Sequence, residues 1–180
     1  MKPSRSAAKV AIDAAFKAYE KKGHKAANNK VMVVINMDEP SYRHRLYVVN
    51  LETKEIERTH HVSHGVQSSN KKDRAYATKF SNEEGSHKSS IGAMVTGNTY
   101  RGKHGLSLKL KGLEKRNSNV EKRYIVLHKA WYVTDGYIMQ HGRAGQSHGC
   151  PAVDPNIGGS LINLIKGGVF FYIYSEQLKK

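Results

Sequence analysis

The sequence has one cysteine, few acidic residues and no long hydrophobic run. Because Cys150 is the only cysteine among 180 residues, the chain cannot form an intramolecular disulfide. No apolar run approaches the ~18 residues that a membrane-spanning helix needs. Met1-Lys2-Pro3-Ser4 opens no signal-peptide pattern. The sequence therefore predicts no transmembrane segment, and either a cytosolic protein or a mature form numbered after trimming.

The shortage of acidic residues leaves a strong positive charge. Asp and Glu total 15 against 30 Lys and Arg, so the net charge is +15. The excess lies early in the chain, because residues 129–180 carry only five basic and three acidic residues. Such a balance favours polyanionic partners, namely nucleic acid, an anionic lipid surface or a cell-wall polymer. An apolar content of 38% still indicates a folded chain, most simply one domain.

Hydrophobic periodicity predicts one helix followed by strands. Apolar residues at helical spacing predict a helix over 6–22, with Ser4 or Ser6 as its cap and Gly23 at its C-terminal end. Apolar or alternating runs then predict strands over 31–37, 45–51, 55–63, 93–96, 106–110, 124–128 and 169–174. Because helices do not alternate with these strands, a sandwich or barrel-like sheet is favoured.

Three connecting segments add to this outline. Asp154 and Pro155 predict the N-cap and first residue of a short helix, which Gly167-Gly168 would end. The polar stretch 67–90 predicts a long functional or mobile loop. The basic stretch 100–105 predicts a flexible loop near the cleft.

The segment around Cys150 suits a working thiol. Gly149 lets the backbone approach a bound group closely, and Pro151 fixes the chain just after the sulfur. His128 ends an apolar run 22 residues earlier, a gap long enough for the two side chains to meet. A lone cysteine with a histidine elsewhere is a candidate nucleophile and base. The alternative interpretation is an inert, buried cysteine.

Histidines also raise the question of a metal site. On a strand, His61 and His64 face opposite sides, and His60 and His64 lie roughly 13 Å apart at ~3.3 Å per residue, so neither pair chelates. Cys150 with His148 and a second histidine fits no closed zinc pattern. The sequence therefore predicts no metal ion and no cofactor.

Several motifs resemble one enzyme family. The run Ser147-His148-Gly149-Cys150, preceded by a histidine at a strand end, resembles the active-site signature of the L,D-transpeptidase catalytic-domain family. Residues 142–152 resemble a subgroup pattern of the form GRxGxSxGCPA. Further matches lie at 85–92, 96–100 and 102–108, and the likeness runs from about Val31 to about Tyr174.

The resemblance implies a mainly β fold, a sandwich of mixed sheets with an N-terminal helix and a short helix after Cys150. Residues 1–30 would form a helix and connector packed on a catalytic region over 31–180, within a single domain. Cys150 would be the nucleophile, His128 the base, and the backbone of His148 and Gly149 the oxyanion donors. The residues expected to bind substrate are Ser147, Arg143, Tyr100, His104, His87 and Ser89.

The implied reaction is the 3-3 cross-linking of peptidoglycan stem peptides. An L,D-carboxypeptidase, which uses water in place of the acceptor amine, is one alternative. A non-catalytic module that binds wall polymer or nucleic acid through its basic residues is another. With the enzyme, peptidoglycan rather than nucleic acid is the expected partner, in the periplasm or at the cell wall after removal of a signal peptide.

The sequence departs from the family pattern in two places. Many members carry a polar residue, often Arg, two positions after the cysteine, where this chain has Ala152. Arg143 is expected to supply that charge. Ser89-Ser90-Ile91-Gly92 lacks the proline of the family's T-P-x-G motif, which would shape the cleft wall.

Overall fold

The computed structural model describes residues 5–179, which form a mainly β fold. Its α-helices are α1 (Arg5–Lys22), α2 (Asp135–His141) and α3 (Pro155–Ile165). Its strands are β1 (Asn28–Asn36), β2 (Leu46–Asn50), β3 (Ile56–His60), β4 (His64–Gly65), β5 (Gly92–Gly102), β6 (Gly105–Gly112), β7 (Val126–Lys129), β8 (Gln146–Ser147), β9 (Ala152–Val153) and β10 (Val169–Tyr174). Short 3-10 turns occupy Gly23–Lys25, Val66–Ser68, Lys115–Asn117, Trp131–Val133 and Glu176–Lys179.

Eight strands form one mixed sheet in the order β3-β2-β1-β10-β5-β6-β7-β9. The pairs β1–β10 and β7–β9 are parallel, and the other neighbours are antiparallel. The strands β4 and β8 form a separate parallel pair. This arrangement confirms the predicted mainly β fold with mixed pairing, an N-terminal helix and a short helix after Cys150.

The centre of the sheet is buried on both faces, as the continuous apolar run at 31–37 predicts. Alternate residues of β1 face two different cores, because side chains alternate along a strand. Met32 and Val34 join the core beneath α1. The opposite core packs α3 against the other face of the sheet; its members include Val33, Ile35, Leu108, Leu127, Val153, Leu161 and Ile165.

The N-terminal helix matches its prediction but ends differently. It begins at Arg5, so Ser6 lies inside its first turn, and Ser4, the other candidate cap, lies outside the described residues. Gly23 continues into a 3-10 turn rather than ending the helix in a left-handed conformation. Glycine is required there because a Cβ would lie 2.6 Å from the Tyr19 ring.

The helix after Cys150 follows its sequence signals. The Asp154 carboxylate accepts a hydrogen bond from the Asn156 N–H at 2.7 Å, and Pro155 is the first helical residue. Gly167 and Gly168, with φ of +78° and +93°, turn the chain into β10. Among residues 5–179, no helix has the length and apolar content to cross a bilayer.

Two regions near the cleft differ from expectation. The stretch 100–105 is the end of a regular hairpin, in which Gly102 pairs with Gly105 across the turn residues Lys103 and His104. Local sequence suggests a loop there, but β5 is eleven residues long and pairs with β6 as far as Gly102, which extends the hairpin through this stretch. Tyr124 precedes β7, with φ of +52°, and its side chain is 82% exposed.

Candidate active site

Parallel pairing at the edge of the sheet brings Cys150 beside His128. His128 lies on β7 and pairs with Ala152 of β9. The His128 N–H donates to the Pro151 carbonyl at 3.3 Å. The segment between His128 and Cys150 therefore leaves β7 and returns to pair beside it.

A cavity of about 640 Å³ is lined by both Cys150 and His128. Four further residues expected in the site also line it, namely Ser147, His148, Tyr100 and His104. The lining residues that were not expected from the sequence include Arg123, Tyr124 and Tyr132. The cavity thus collects residues from the β5–β6 hairpin, β7 and the Cys150 segment.

His128 is held in the tautomer that a general base needs. Its Nδ1 lies 3.0 Å from the Lys129 carbonyl oxygen, which can only accept, so Nδ1 carries the hydrogen and Nε2 has a free lone pair. The side chain is only 2% exposed. Burial lowers the pKa of His128, and nearby His104 and Lys103 lower it further. The imidazole is therefore neutral over a wider pH range than a free histidine.

Cys150 is partly buried, and its thiol is held in the protonated form. Burial raises the pKa of the Cys150 thiol, although Arg123, Lys103 and a hydrogen bond from the Val126 backbone oppose the shift. The thiol Sγ lies 3.5 Å from the Tyr124 carbonyl oxygen, to which it donates. A neutral thiol beside a neutral imidazole is thus the favoured resting state.

Two serine hydroxyls fix the backbone of the nucleophile. The Ser147 hydroxyl donates to the Cys150 carbonyl at 2.6 Å and accepts from the Gly149 N–H at 3.1 Å. The Ser63 hydroxyl accepts from the Ala152 N–H at 3.0 Å. Ser147 therefore supports the turn, and the Gly149 N–H, an expected oxyanion donor, is bound to that hydroxyl in this state.

Gly149 is required by a close approach of two backbones. Its φ is +119°, and a Cβ would lie 2.7 Å from the Lys88 carbonyl oxygen. A Cβ on Gly65 would lie 2.4 Å from the His87 carbonyl oxygen. The segment 87–89 is thus pressed against the Cys150 turn, with no room for side chains between them.

Two stacked histidine pairs lie near Cys150. His104, on the hairpin turn, stacks on His128 with ring centroids 4.2 Å apart and planes at 18°. His87 stacks on His148 at 4.3 Å and 10°. His87 is not among the described residues that line the cavity, but it contacts His148, which does.

Arg123 anchors the long loop that borders the cavity. Its guanidinium donates to the Ser81 carbonyl at 2.6 Å, the Ser90 hydroxyl at 2.7 Å, the Ser86 hydroxyl at 3.1 Å and the Lys88 carbonyl at 2.6 Å. Sequence reasoning missed this role because one arginine among many basic residues carries no local signal. The stretch 67–90 is irregular as expected, but its second half is firmly attached.

A buried polar network lies behind the Cys150 turn. Arg45, fully buried, donates to His64 Nδ1 at 2.8 Å, and His64 Nε2 lies 3.2 Å from the Ser69 hydroxyl. Burial and the Arg45 charge lower the pKa of His64 to about 2, so this ring is neutral. Strand β4, which contains His64, pairs with β8 just before the nucleophile. Within residues 5–179, no group of three His, Cys, Asp or Glu side chains is placed to hold a metal ion.

A model of one protein family matches almost the whole described chain. It is the model of the L,D-transpeptidase catalytic domain, and it matches residues 4–174. The chain belongs to the L,D-transpeptidase catalytic-domain family. The resemblance carried by the Cys150 motif is thereby confirmed at the level of the family.

Solved structures resemble this L,D-transpeptidase domain at low sequence identity. Pgp2, a helical cell shape determining protein from Campylobacter jejuni, is 16% identical with a TM-score of 0.50, over 89% of this chain and 54% of that chain. An L,D-transpeptidase from Mycobacterium smegmatis is 13% identical with a TM-score of 0.48, over 81% and 59%. The chain thus spans less than two thirds of these structures, and the likeness concerns the fold. A comparison with curated proteins gave no match.

Besides His87, two of the expected substrate residues of this L,D-transpeptidase domain are not among the described residues that line the cavity. The Ser89 hydroxyl accepts from the Gly65 N–H at 2.9 Å, and the residue is 1% exposed, so it supports the cleft wall from within. Arg143 donates to the Ala144 carbonyl at 3.2 Å and is not among the described residues that line the cavity. The cationic side chain that does line it is Arg123, together with Lys103.

Proposed function

We propose that this domain acylates Cys150 with a peptidoglycan tetrapeptide stem and transfers the acyl group to an acceptor amine. One observation carries the proposal: Cys150 and His128 line the same cavity, and the Lys129 carbonyl holds His128 with Nε2 unprotonated. Membership of the L,D-transpeptidase family supports stem peptides as the substrate. The finer chemistry follows from the site.

The first half-reaction begins from a neutral pair. As Cys150 Sγ attacks the carbonyl carbon at the L-centre of the stem, His128 Nε2 takes the thiol proton. The backbone N–H groups of His148, Gly149 and Cys150 are the candidate donors to the oxyanion, which requires Gly149 to leave the Ser147 hydroxyl. The imidazolium then protonates the leaving amine of the terminal D-residue, and a thioester remains.

In the second half-reaction an amine or a water molecule attacks the thioester. A second cavity of about 430 Å³ adjoins the first and shares Tyr100, Tyr124, Ile125 and Val126 with it. Two adjoining cavities suit two substrates, because transfer requires a positioned acceptor amine. We therefore favour transpeptidation over L,D-carboxypeptidation. The carboxypeptidase alternative remains the second candidate, since a single wet cavity is enough for hydrolysis.

The proposed substrate places the working site outside the cytoplasm, at the cell wall. The net charge of +15 supports binding to an anionic wall polymer. A non-catalytic basic module would need this charge but no reactive Cys150. Labelling of native Cys150 by a thiol reagent, with the wild type and Cys150→Ala compared, separates these two classes.

Incubation with purified disaccharide-tetrapeptides tests the proposal directly. We expect dimers with a 3-3 cross-link and a transient acyl-enzyme heavier than the protein by the mass of the stem fragment. Cys150→Ala should give neither. Tripeptides as the sole product would replace the transpeptidase with the carboxypeptidase, and the absence of any acyl-enzyme would refute both.

A further inference from the structure

A row of aromatic rings leads from the cavity to the protein surface. Tyr132 lines the cavity, and its ring centroid lies 5.9 Å from that of Trp131. Trp131 lies 5.4 Å from Tyr137, which stacks on His141 at 4.0 Å. We call these four residues the aromatic row. It is continuous with the catalytic cavity at one end and open to solvent at the other.

The segment that carries the aromatic row is rigidly built. A small core of its own lies beneath it, and its buried members are Ala130, Val133, Ile138, Ala144 and Ala152. The Ala130 N–H donates to the Val153 carbonyl at 2.9 Å, and the Gly145 N–H donates to the Tyr132 carbonyl at 2.7 Å. The Thr134 hydroxyl closes the turn on the Trp131 carbonyl at 2.9 Å. The rings are therefore presented by a fixed backbone.

Packing does not account for the most exposed ring of the row. Trp131 is the only tryptophan of the chain, yet its side chain is 70% exposed. The core of the segment is filled by other residues, so burial of the indole is not what stabilises the fold. A rigid, exposed aromatic surface next to a catalytic cavity is typical of ligand contact.

The local charge selects the kind of ligand. Between residues 130 and 142 the formally charged side chain is Asp135, whereas the chain as a whole carries +15. Nucleic acid and anionic lipid are bound through clusters of Lys and Arg, which this segment lacks. Flat rings with few charged neighbours in the segment suit an uncharged saccharide, because sugar C–H groups lie against the negative face of a π system.

We propose that the aromatic row binds amino-sugar rings of the glycan strand to which the stem peptide is attached. This inference rests on the proposed function, because the stem in the cavity must continue into its sugar. The stem leaves the cavity at Tyr132, and Trp131 and Tyr137 receive the sugar rings beyond it. The Asp135 carboxylate on the same segment lies 3.5 Å from His61 Nε2, so the inference rests on the aromatic rings.

Intrinsic fluorescence gives a direct test, since all tryptophan emission comes from Trp131. Titration of the native protein with N-acetylglucosamine oligomers should change the emission saturably. Tyr137→Ala should weaken this binding about tenfold, the loss typical of removing a stacking ring. Met139→Ala is the matched control, because Met139 is 85% exposed on the same helix but lies outside the row. No change in emission with the oligomers would overturn the proposal, as would a change with anionic phospholipid vesicles alone.

A second experiment separates this inference from the proposed function. Acylation of Cys150 is followed by mass with a free tetrapeptide and with the same tetrapeptide attached to glycan. Trp131→Ala and Trp131→Phe should leave the free peptide rate unchanged. With the glycan-linked stem, Trp131→Ala should be about tenfold slower below saturation, and Trp131→Phe should recover most of the rate. Equal rates for the two substrates in every variant would refute the aromatic row, whereas no acylation by either would refute the proposed function.

Discussion

The two stacked histidine pairs beside Cys150 are alike in geometry and unlike in setting. The ring centroids are 4.2 Å apart for His104 and His128, and 4.3 Å apart for His87 and His148. His128 is buried and bonded to the Lys129 carbonyl, whereas His148 is exposed. The comparison shows that similar stacks can stand in different settings, since the burial and the fixed tautomer that a general base needs belong to one pair only.

Proximity along the chain is misleading for the same reason. His148 is two residues from Cys150, but the turn directs its ring onto His87. His128 is 22 residues away, yet strand pairing brings it beside the nucleophile. Strand register, rather than sequence distance, therefore decides which histidine can serve the thiol.

The largest expected effect is on catalytic rate, and it distinguishes His128 from His148, one histidine from each stacked pair. His128→Gln should lower kcat/KM for the tetrapeptide by about 10²- to 10⁴-fold, the range for loss of a general base. His148→Gln should cost far less, because its ring is exposed and its expected contribution is through the backbone N–H. Steady-state kinetics with both variants measure the ratio.

A larger loss in His148→Gln than in His128→Gln would reverse the assignment. Thermal unfolding of each variant is the control for folding, since His128 is buried. A rate of Cys150 alkylation that survives in His128→Gln above the thiol pKa would show that the nucleophile itself is intact.

The next largest effect concerns Arg123, which anchors the loop that carries His87. Arg123→Gln should lower the free energy of unfolding by about 2–3 kcal/mol, because several charge-assisted hydrogen bonds to the loop are lost. It should also raise the pKa of Cys150, since the guanidinium lowers it now. Denaturant titration and the pH dependence of thiol alkylation measure the two effects.

Arg116→Gln is the matched control for that variant. Arg116 is an exposed arginine whose guanidinium is 3.4 Å from Glu114, and surface pairs of this kind contribute little. If Arg116→Gln and Arg123→Gln destabilised the protein equally, the anchoring role of Arg123 would be wrong.

Replacement of His104 and replacement of His87, the stacking partners of His128 and His148, should differ in their effect on the pH dependence of kcat/KM. His104 and the burial it provides both lower the pKa of His128, so His104→Ala should raise that pKa toward its ordinary value. Because the base acts when neutral, the acidic limb of kcat/KM should move to higher pH. The other pair has no such contact with His128, so His87→Ala should leave the limb in place. Identical pH profiles for the two variants would remove the tuning role of His104.

Local signals in the sequence predict the parts of this fold that depend on local physics. The run at 31–37 is buried on both faces, and Asp154-Pro155 begins α3 as its capping chemistry requires. Residue type and spacing also single out Cys150 as the candidate nucleophile, and the resemblance supplies His128 as the candidate base; both line the same cavity. Periodicity and capping are written into neighbouring residues, so they can be recognised without tertiary contacts.

The features of the site that the sequence did not predict depend on contacts between distant segments. Ser63 holds the Cys150 turn from 87 residues away, and Arg123 reaches a loop some 35 residues earlier. Ser89 and Arg143 were expected at the substrate, but the first is buried against Gly65 and the second turns to Ala144. No pattern of neighbouring residues encodes such pairings.

The smallest expected effect concerns the backbone of His87. Its φ is +52°, a left-handed conformation that costs a residue with a Cβ about 1 kcal/mol. His87→Gly relieves this strain but loses the stack on His148 and enlarges the entropy of the unfolded chain. Since these terms oppose one another, the free energy of unfolding should change by less than about 0.5 kcal/mol. His87→Ala keeps the strain and loses the stack, so it should be the less stable of the two. Denaturant titration of both variants checks the order, and a His87→Gly protein less stable than His87→Ala would show that the added entropy of the unfolded chain outweighs the relief of backbone strain.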